Sequence, residues 1–182
     1  DGTYEGKAST TAGKFGNGYE GDGSDDYVDS NYGPSLSASD DISFAFWYKA
    51  DNTSYTADED FIGVFRNLAN DIQIAVEIDG DGSVCGDDQI VFSSGNIEGA
   101  WDKVCSDSVA NDTDWHHVVA VHDIDGEMSL YFDGVLENNT SVTSSSNGTK
   151  DFSPASFFLG AFNSDGTPNQ EFDGQKDEVR IY

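Results

Sequence analysis

Ile42-Ser43-Phe44-Ala45-Phe46-Trp47-Tyr48-Lys49 is the stretch on which the fold turns. Its bulky residues Ile42, Phe44, Phe46 and Tyr48 recur every second position. An extended chain carries all four on one face, whereas a helix scatters them. The same period runs outward through Ile72-Gln73-Ile74-Ala75-Val76-Glu77-Ile78, where the aliphatics face one way and Gln73, Ala75 and Glu77 the other. In Trp115 to His122, the set Trp115, His117, Val119, Val121 alternates with His116, Val118, Ala120, His122. Both sets are fairly apolar, which predicts a central strand between two layers, with Trp47 and Trp115 in the core. Further strands are predicted at 61–66, 89–93, 128–133, 156–161 and 177–182.

Between these runs lie Asp79-Gly80-Asp81-Gly82, Asp125-Gly126, Asp133-Gly134, Asn147-Gly148, Asp165-Gly166 and Asp173-Gly174. Asp, Asn and Gly tolerate positive φ, so these pairs read as hairpin turns. Loops are expected at 50–60, 80–88, 94–113, 137–155 and 162–171. Many short strands with no helical pattern predict an antiparallel sandwich spanning residues 1–182 as one domain.

The chain has 182 residues, and 35 Asp+Glu against 8 Lys+Arg give it a net charge of −27. That balance excludes binding to nucleic acid by phosphate neutralisation and docking on anionic membranes. No apolar run approaches the ~18 residues of a spanning helix. High charge is also a mark of disorder, but 12 Phe, 8 Tyr and 3 Trp indicate an ordinary core under an extreme surface. Such a surface repels itself until salt or bound cations screen it. The excess of Asp over Lys is that of a protein adapted to high salt, with a calcium-rich extracellular setting as the rival explanation. With no initiator Met and no signal-like start, the chain is expected to be a module of a longer surface protein.

Cys85 and Cys105 lie 20 residues apart in Gly/Asp/Ser-rich surroundings that read as loops. Neither has a second Cys or His at zinc-ligand spacing. A disulfide closing this loop contributes roughly 3 kcal/mol and implies an extracytoplasmic location. Two free buried thiols are the alternative. Glycosylation sequons at Asn52, Asn111, Asn138, Asn139 and Asn147 place those loops at the surface if glycosylation operates.

Five blocks in order resemble laminin-G-like, concanavalin A-like jelly-roll domains. They are Gly13-Lys14-Phe15-Gly16-Asn17 with Asp22-Gly23-Ser24-Asp25-Asp26-Tyr27-Val28; Ile42 to Lys49; Trp115-His116-His117-Val118-Val119-Ala120-Val121; Met128-Ser129-Leu130-Tyr131-Phe132-Asp133-Gly134; and Phe158-Leu159-Gly160-Ala161 with Gly174-Gln175-Lys176-Asp177-Glu178-Val179-Arg180-Ile181-Tyr182. Gly21 departs from the family's usual Phe. The resemblance implies an all-β jelly roll of two antiparallel sheets with the N- and C-terminal strands adjacent. The fold hosts lectins, adhesion modules and glycanases alike.

Four constellations are candidates for chemistry. Asp22, Asp25 and Asp26 with the Gly23 carbonyl, joined by Asp177 if the termini pair, supply the hard oxygens that Ca²⁺ takes; turn capping is the plain alternative. Glu77-Ile78-Asp79-Gly80-Asp81 is the nearest match to the Glu-x-Asp-x-Glu of laminarinase-type glycanases. It has Asp81 where the acid/base Glu belongs, and it runs into a turn. His116, His117 and His122 are expected to be structural. Trp101 and Tyr55 lie outside the alternation, and their rings suit sugar stacking if exposed. The chain is therefore read as a non-catalytic extracellular module that binds a glycan or glycosylated surface protein, with structural calcium. A glycan-active hydrolase or its accessory domain is the second reading, and a structural spacer the third.

Overall fold

The computed structural model describes residues 2–36, 40–66, 72–96, 100–110, 112–143, 150–153, 155–164 and 166–182. Two large sheets form the sandwich. The main path of sheet I runs β1 (Thr3–Glu5), β4 (Tyr27–Asp29), β15 (Phe158–Leu159), β7 (Glu59–Arg66), β8 (Ile72–Asp79), β9 (Gln89–Asn96), β10 (Ala100–Val109). Off this path, β16 (Phe162–Ser164) runs parallel to β7 and pairs with β17 (Thr167–Asn169). Sheet II runs β13 (Val135–Ser141), β12 (Glu127–Phe132), β11 (His116–His122), β6 (Ile42–Ala50), β18 (Asp173–Ile181), β3 (Asn17–Asp22), β2 (Ser9–Ala12). A short ribbon joins β5 (Ser35–Leu36) to β14 (Lys150–Asp151). The described residues contain no helix. The closing strand β18 lies between β6 and the N-terminal β3, as the jelly roll requires.

The alternation in β6 becomes the packing. Ile42, Phe44, Phe46, Tyr48 and Ala50 are buried, while the residues between them are half-buried. Facing them across the core are Phe61, Ile62 and Val64 of β7, Ile74, Val76 and Ile78 of β8, and Ile90 and Phe92 of β9. Phe61 meets Phe46, Tyr48 and Phe172 at ring-centre separations of 5.1, 4.5 and 5.0 Å. Tyr19 explains Gly21: a Cβ there would collide with the Tyr19 hydroxyl, so this chain has no room for a larger residue at that position.

Several expectations are corrected. The stretch 100–109 is not loop but β10, the edge strand of sheet I. Its outward residues Trp101 and Lys103 and its Asp and Ser content hid the alternation. Cys105 therefore sits in a strand, disulfide-bonded to Cys85 with a Cα–Cα distance of 5.8 Å. Residues 135–141 form β13, which lies beside β12 at the sheet edge and is largely exposed, so it has no apolar face to display. The strand predicted at 156–161 shrinks to Phe158–Leu159. β11 is central within sheet II, but only one of its faces is packed; Trp47 and Trp115 are half-buried residues outside the core. Asn111, Asn147 and the Asn147-Gly148 turn lie outside the described residues.

Candidate functional site

The outer face of sheet II carries an aromatic groove. Cross-strand register places His117 beside Trp47 and Trp47 beside Asp177; one row further, Tyr131, Val119, Ala45 and Arg180 line up across four strands. These residues point away from the core because their neighbours Phe46, Tyr48, Val118 and Lys176 point into it. The Trp47 ring lies 5.0 Å from His117 and 5.9 Å from Phe15, which meets it edge-on. The Lys14 ammonium lies 4.5 Å from the ring centre, held by the ring's negative face.

Lys14 and Phe15 come from the turn between β2 and β3, and Asp177 anchors that turn. One Asp177 oxygen accepts the Phe15 N–H at 2.6 Å and the other the Glu178 N–H at 2.8 Å. Glu178 has φ +50° at the β-bulge that breaks the register between Asp177 and Arg180. Gly13 fits the close approach here, since a Cβ would lie 2.8 Å from the Gly18 backbone nitrogen and 2.6 Å from Asp177 Oδ2.

Two hollows flank the Trp47–His117 pair. One, of about 390 Å³, is lined by Phe15, Ala45, Trp47, His117, Glu178 and Arg180. The other, of about 460 Å³, is lined by Lys14, Trp47, Trp115, His117, Asp133 and Gly134. Burial lowers the His117 pKa against the opposing pull of Asp133, so its ring is neutral near neutral pH. Its neighbour His116 is clamped, with Nδ1 2.8 Å from Asp133 and Nε2 2.9 Å from Asp112, and it stacks on Phe132. His122 is buried.

The acidic turn is elsewhere. Ligand atoms of Asp22, Asp25 and Asp26 lie within 4.8 Å of one another. The adjoining hollow is lined by Glu20, Asp22, Asp26, Asp51 and Asp173, with Lys7. Asp26 is buried; it accepts the Lys7 N–H through one oxygen and the Asp22 N–H through the other at 3.2 Å. Gly23 has φ +69° and packs against Asp173. Asp177 does not join this group: the register pairs Asp173, not Asp177, with Asp22, and Asp177 is four residues further along β18. The expectation that Asp177 converges with the turn is thus corrected, and Asp173 occupies that position.

Glu77 and Asp79 share the outward face of β8, as period 2 demands, but neither is open to solvent. Asp79 accepts N–H groups from Ser83 (3.0 Å), Val84 (2.9 Å) and Cys85, closing the Asp-Gly-Asp-Gly turn around itself. Glu77 lies opposite Asp60 on β7. Burial, then repulsion from Asp58 and Asp79, pushes its pKa up to about 8. Burial and Glu77 likewise raise that of Asp60. Tyr55 is corrected from an exposed ring to a core one, 6% accessible, with its N–H on Asp88. Trp101 is exposed at 52%, on edge strand β10 of the other sheet. Sequence reasoning missed Phe15, Trp47, Trp115, His117 and Arg180 as groove residues. Strand parity placed Trp47 opposite to Phe46 and Tyr48, and that was the signal available.

The two-sheet sandwich thus carries an open aromatic groove on one outer face. The chain belongs to the concanavalin A-like lectin/glucanase superfamily, whose laminin-G profile matches residues 22–182. No curated protein sequence matches it. Among solved structures it is similar to domain 4 of AbnA, a GH43 extracellular arabinanase from Geobacillus stearothermophilus, in complex with arabinotriose. That match has a TM-score of 0.68 and 20% identity, and covers 97% of this chain and 75% of that one. It is also similar to the CBM40 of the Ruminococcus gnavus IT-sialidase, with a TM-score of 0.59 and 12% identity over 86% of this chain and 89% of that one. Domains LG4–5 of the mouse laminin α1 chain match with a TM-score of 0.58 and 17% identity, over 89% of this chain and 39% of that one. The fold is one that binding modules use, in a superfamily that also includes glucanases.

Proposed function

We propose that the chain is a non-catalytic extracellular glycan-binding module whose recognition surface is the groove around Trp47. The supporting observation is a half-buried tryptophan on a rigid sheet, bordered by Phe15, His117 and Lys14, with two hollows beside it. An aromatic face takes the C–H face of a sugar ring, and the flanking polar groups orient its hydroxyls. Similarity to a domain bound to arabinotriose supports this reading. Burial of Glu77 and Asp79 counts against the hydrolase reading, because a glycosidase needs two carboxyls open to the scissile bond. The spacer reading has no use for the groove.

Calcium belongs to the same proposal. Asp22, Asp25 and Asp26, with Asp173 adjoining, concentrate oxygen ligands of the kind Ca²⁺ takes, and the ion would relieve their mutual repulsion. Adhesion to a glycosylated surface protein and adaptation to high salt complete the reading; the −27 charge supports the latter.

A glycan array run in 2 mM CaCl₂ and in EGTA tests both parts. Binding that Trp47→Ala abolishes is expected, and unaltered binding by that variant rejects the groove. A melting temperature that calcium leaves unchanged rejects the ion site.

A further inference from the structure

The two hollows do not stand apart. Both are lined by Trp47 and His117, so that pair is their common border, with one hollow on either side of it on the same sheet face. Each hollow also holds one cation and one anion: Arg180 with Glu178 on one side, Lys14 with Asp133 on the other. On a molecule of net charge −27 the lining of the two hollows is charge-balanced, and the Asp177 carboxylate beside Trp47 is taken up by the Phe15 and Glu178 N–H groups. The hollow at the acidic turn contrasts with them, setting five carboxylates against Lys7. Arg180 pairs with Glu178 at the surface, and Asp133 is bonded to the His116 ring and accepts the His117 N–H, so each hollow presents charged hydrogen-bonding groups.

Resting on the reading of the groove as a glycan site, we infer that it takes an internal stretch of a neutral, linear oligosaccharide, with sugar units on both sides of Trp47. A single sugar fills only one hollow and leaves half of the donors and acceptors unused. For an anionic chain the attraction of Arg180 and Lys14 is offset by Glu178 and Asp133, and the acidic surface beyond the hollows repels it. A neutral chain carries no net charge for the acidic surface to repel, and each hollow offers it both a charged donor and a charged acceptor. Lys14 lies over the Trp47 face through a long flexible stem, so a sugar ring can displace its ammonium and keep it as a donor to a hydroxyl.

The test is calorimetric titration with arabino-, xylo- and cello-oligosaccharides of one to six units, with oligogalacturonides as the anionic series. In at least one neutral series, affinity is expected to rise about tenfold or more from the monosaccharide to the tetrasaccharide and then level off. Arg180→Ala and Trp115→Ala, one in each hollow, should each lower tetrasaccharide affinity about tenfold, and Trp47→Phe should retain part of what Trp47→Ala loses. Equal affinity for one and four units, still lost in Trp47→Ala, overturns the chain-spanning claim and leaves the glycan site standing. Tighter binding of oligogalacturonides overturns neutrality alone. No binding by any series, or binding indifferent to Trp47→Ala with the variant folded by circular dichroism, overturns the glycan reading itself.

Discussion

Lys176 is the residue most at odds with its surroundings. It occupies an inward position of β18, where a sandwich ordinarily places an aliphatic, and is 2% accessible. Its ammonium lies 3.8 Å from the Phe172 ring centre and has no hydrogen-bond partner among the described residues. Burial holds its pKa well below the usual lysine value, against the opposing pull of Glu59 and Asp60. An unpartnered buried polar group costs about 1–3 kcal/mol. Lys176→Met should therefore stabilise the protein, raising the melting temperature by about 2–4 °C per kcal/mol recovered; a lower melting temperature would show that the amine has a partner. His116 behaves in the opposite way. Burial alone lowers its pKa, but the hydrogen bonds and charges of Asp133 and Asp112 outweigh it, and the net shift is upward from 6.5. A raised folded-state value means that the clamp's contribution is fully present below pH 6.5 and is lost as pH rises through the folded-state value. Melting curves from pH 5.5 upward should show this decline in the wild type and a flatter profile in His116→Gln.

At the scale of elements, the groove depends on four pieces from distant parts of the chain. β6 and β11 supply its floor, and the β2–β3 turn supplies the Lys14 and Phe15 wall. The bulge in β18 aims Asp177 at that turn. Asp177 is thus a positioning residue. Asp177→Ala should weaken saccharide binding several-fold by releasing the turn. Asp177→Asn should recover much of it, since the amide oxygen still accepts the Phe15 N–H. If Asp177→Ala binds as tightly as the wild type, the turn is held without it. The disulfide has a parallel role on the other sheet, pinning the turn that Asp79 organises onto edge strand β10.

Across the whole molecule, the −27 charge lies over a core that is otherwise conventional: Phe, Tyr, Ile and Val from both sheets, with Met128 and Leu130 at one side. Its self-repulsion is long-range, and salt near 1 M shortens the screening length to about 3 Å. The melting temperature should climb steadily from about 0.1 to 2 M NaCl. A flat profile would mean that the carboxylates are already neutralised by bound ions or shared protons, and salt adaptation would have to be abandoned.

Strand parity in Ile42–Lys49, Ile72–Ile78 and 115–122, with no helical pattern in the sequence to supply a covering layer, pointed by itself to an all-β sandwich, because the apolar faces of such strands are then left only another sheet to pack against. The Cys85–Cys105 pair and the turn at Asp79 were legible for similarly local reasons. β10 and β13 were not: in β10 the buried positions include Asp102 and Ser106, which disguise its alternation, and the largely exposed edge strand β13 has no apolar face to show. Only the tertiary structure decided which side of each strand faces solvent in company. Trp47 is a core residue by composition and a surface residue by parity, and it becomes part of a groove only when His117 and Arg180 arrive from other strands and Phe15 from the β2–β3 turn. Asp177 shows the same limit: adjacency of the terminal strands was foreseeable, but the register that pairs Asp22 with Asp173 and sends Asp177 to the Phe15 turn is set by hydrogen bonds between residues some 150 positions apart.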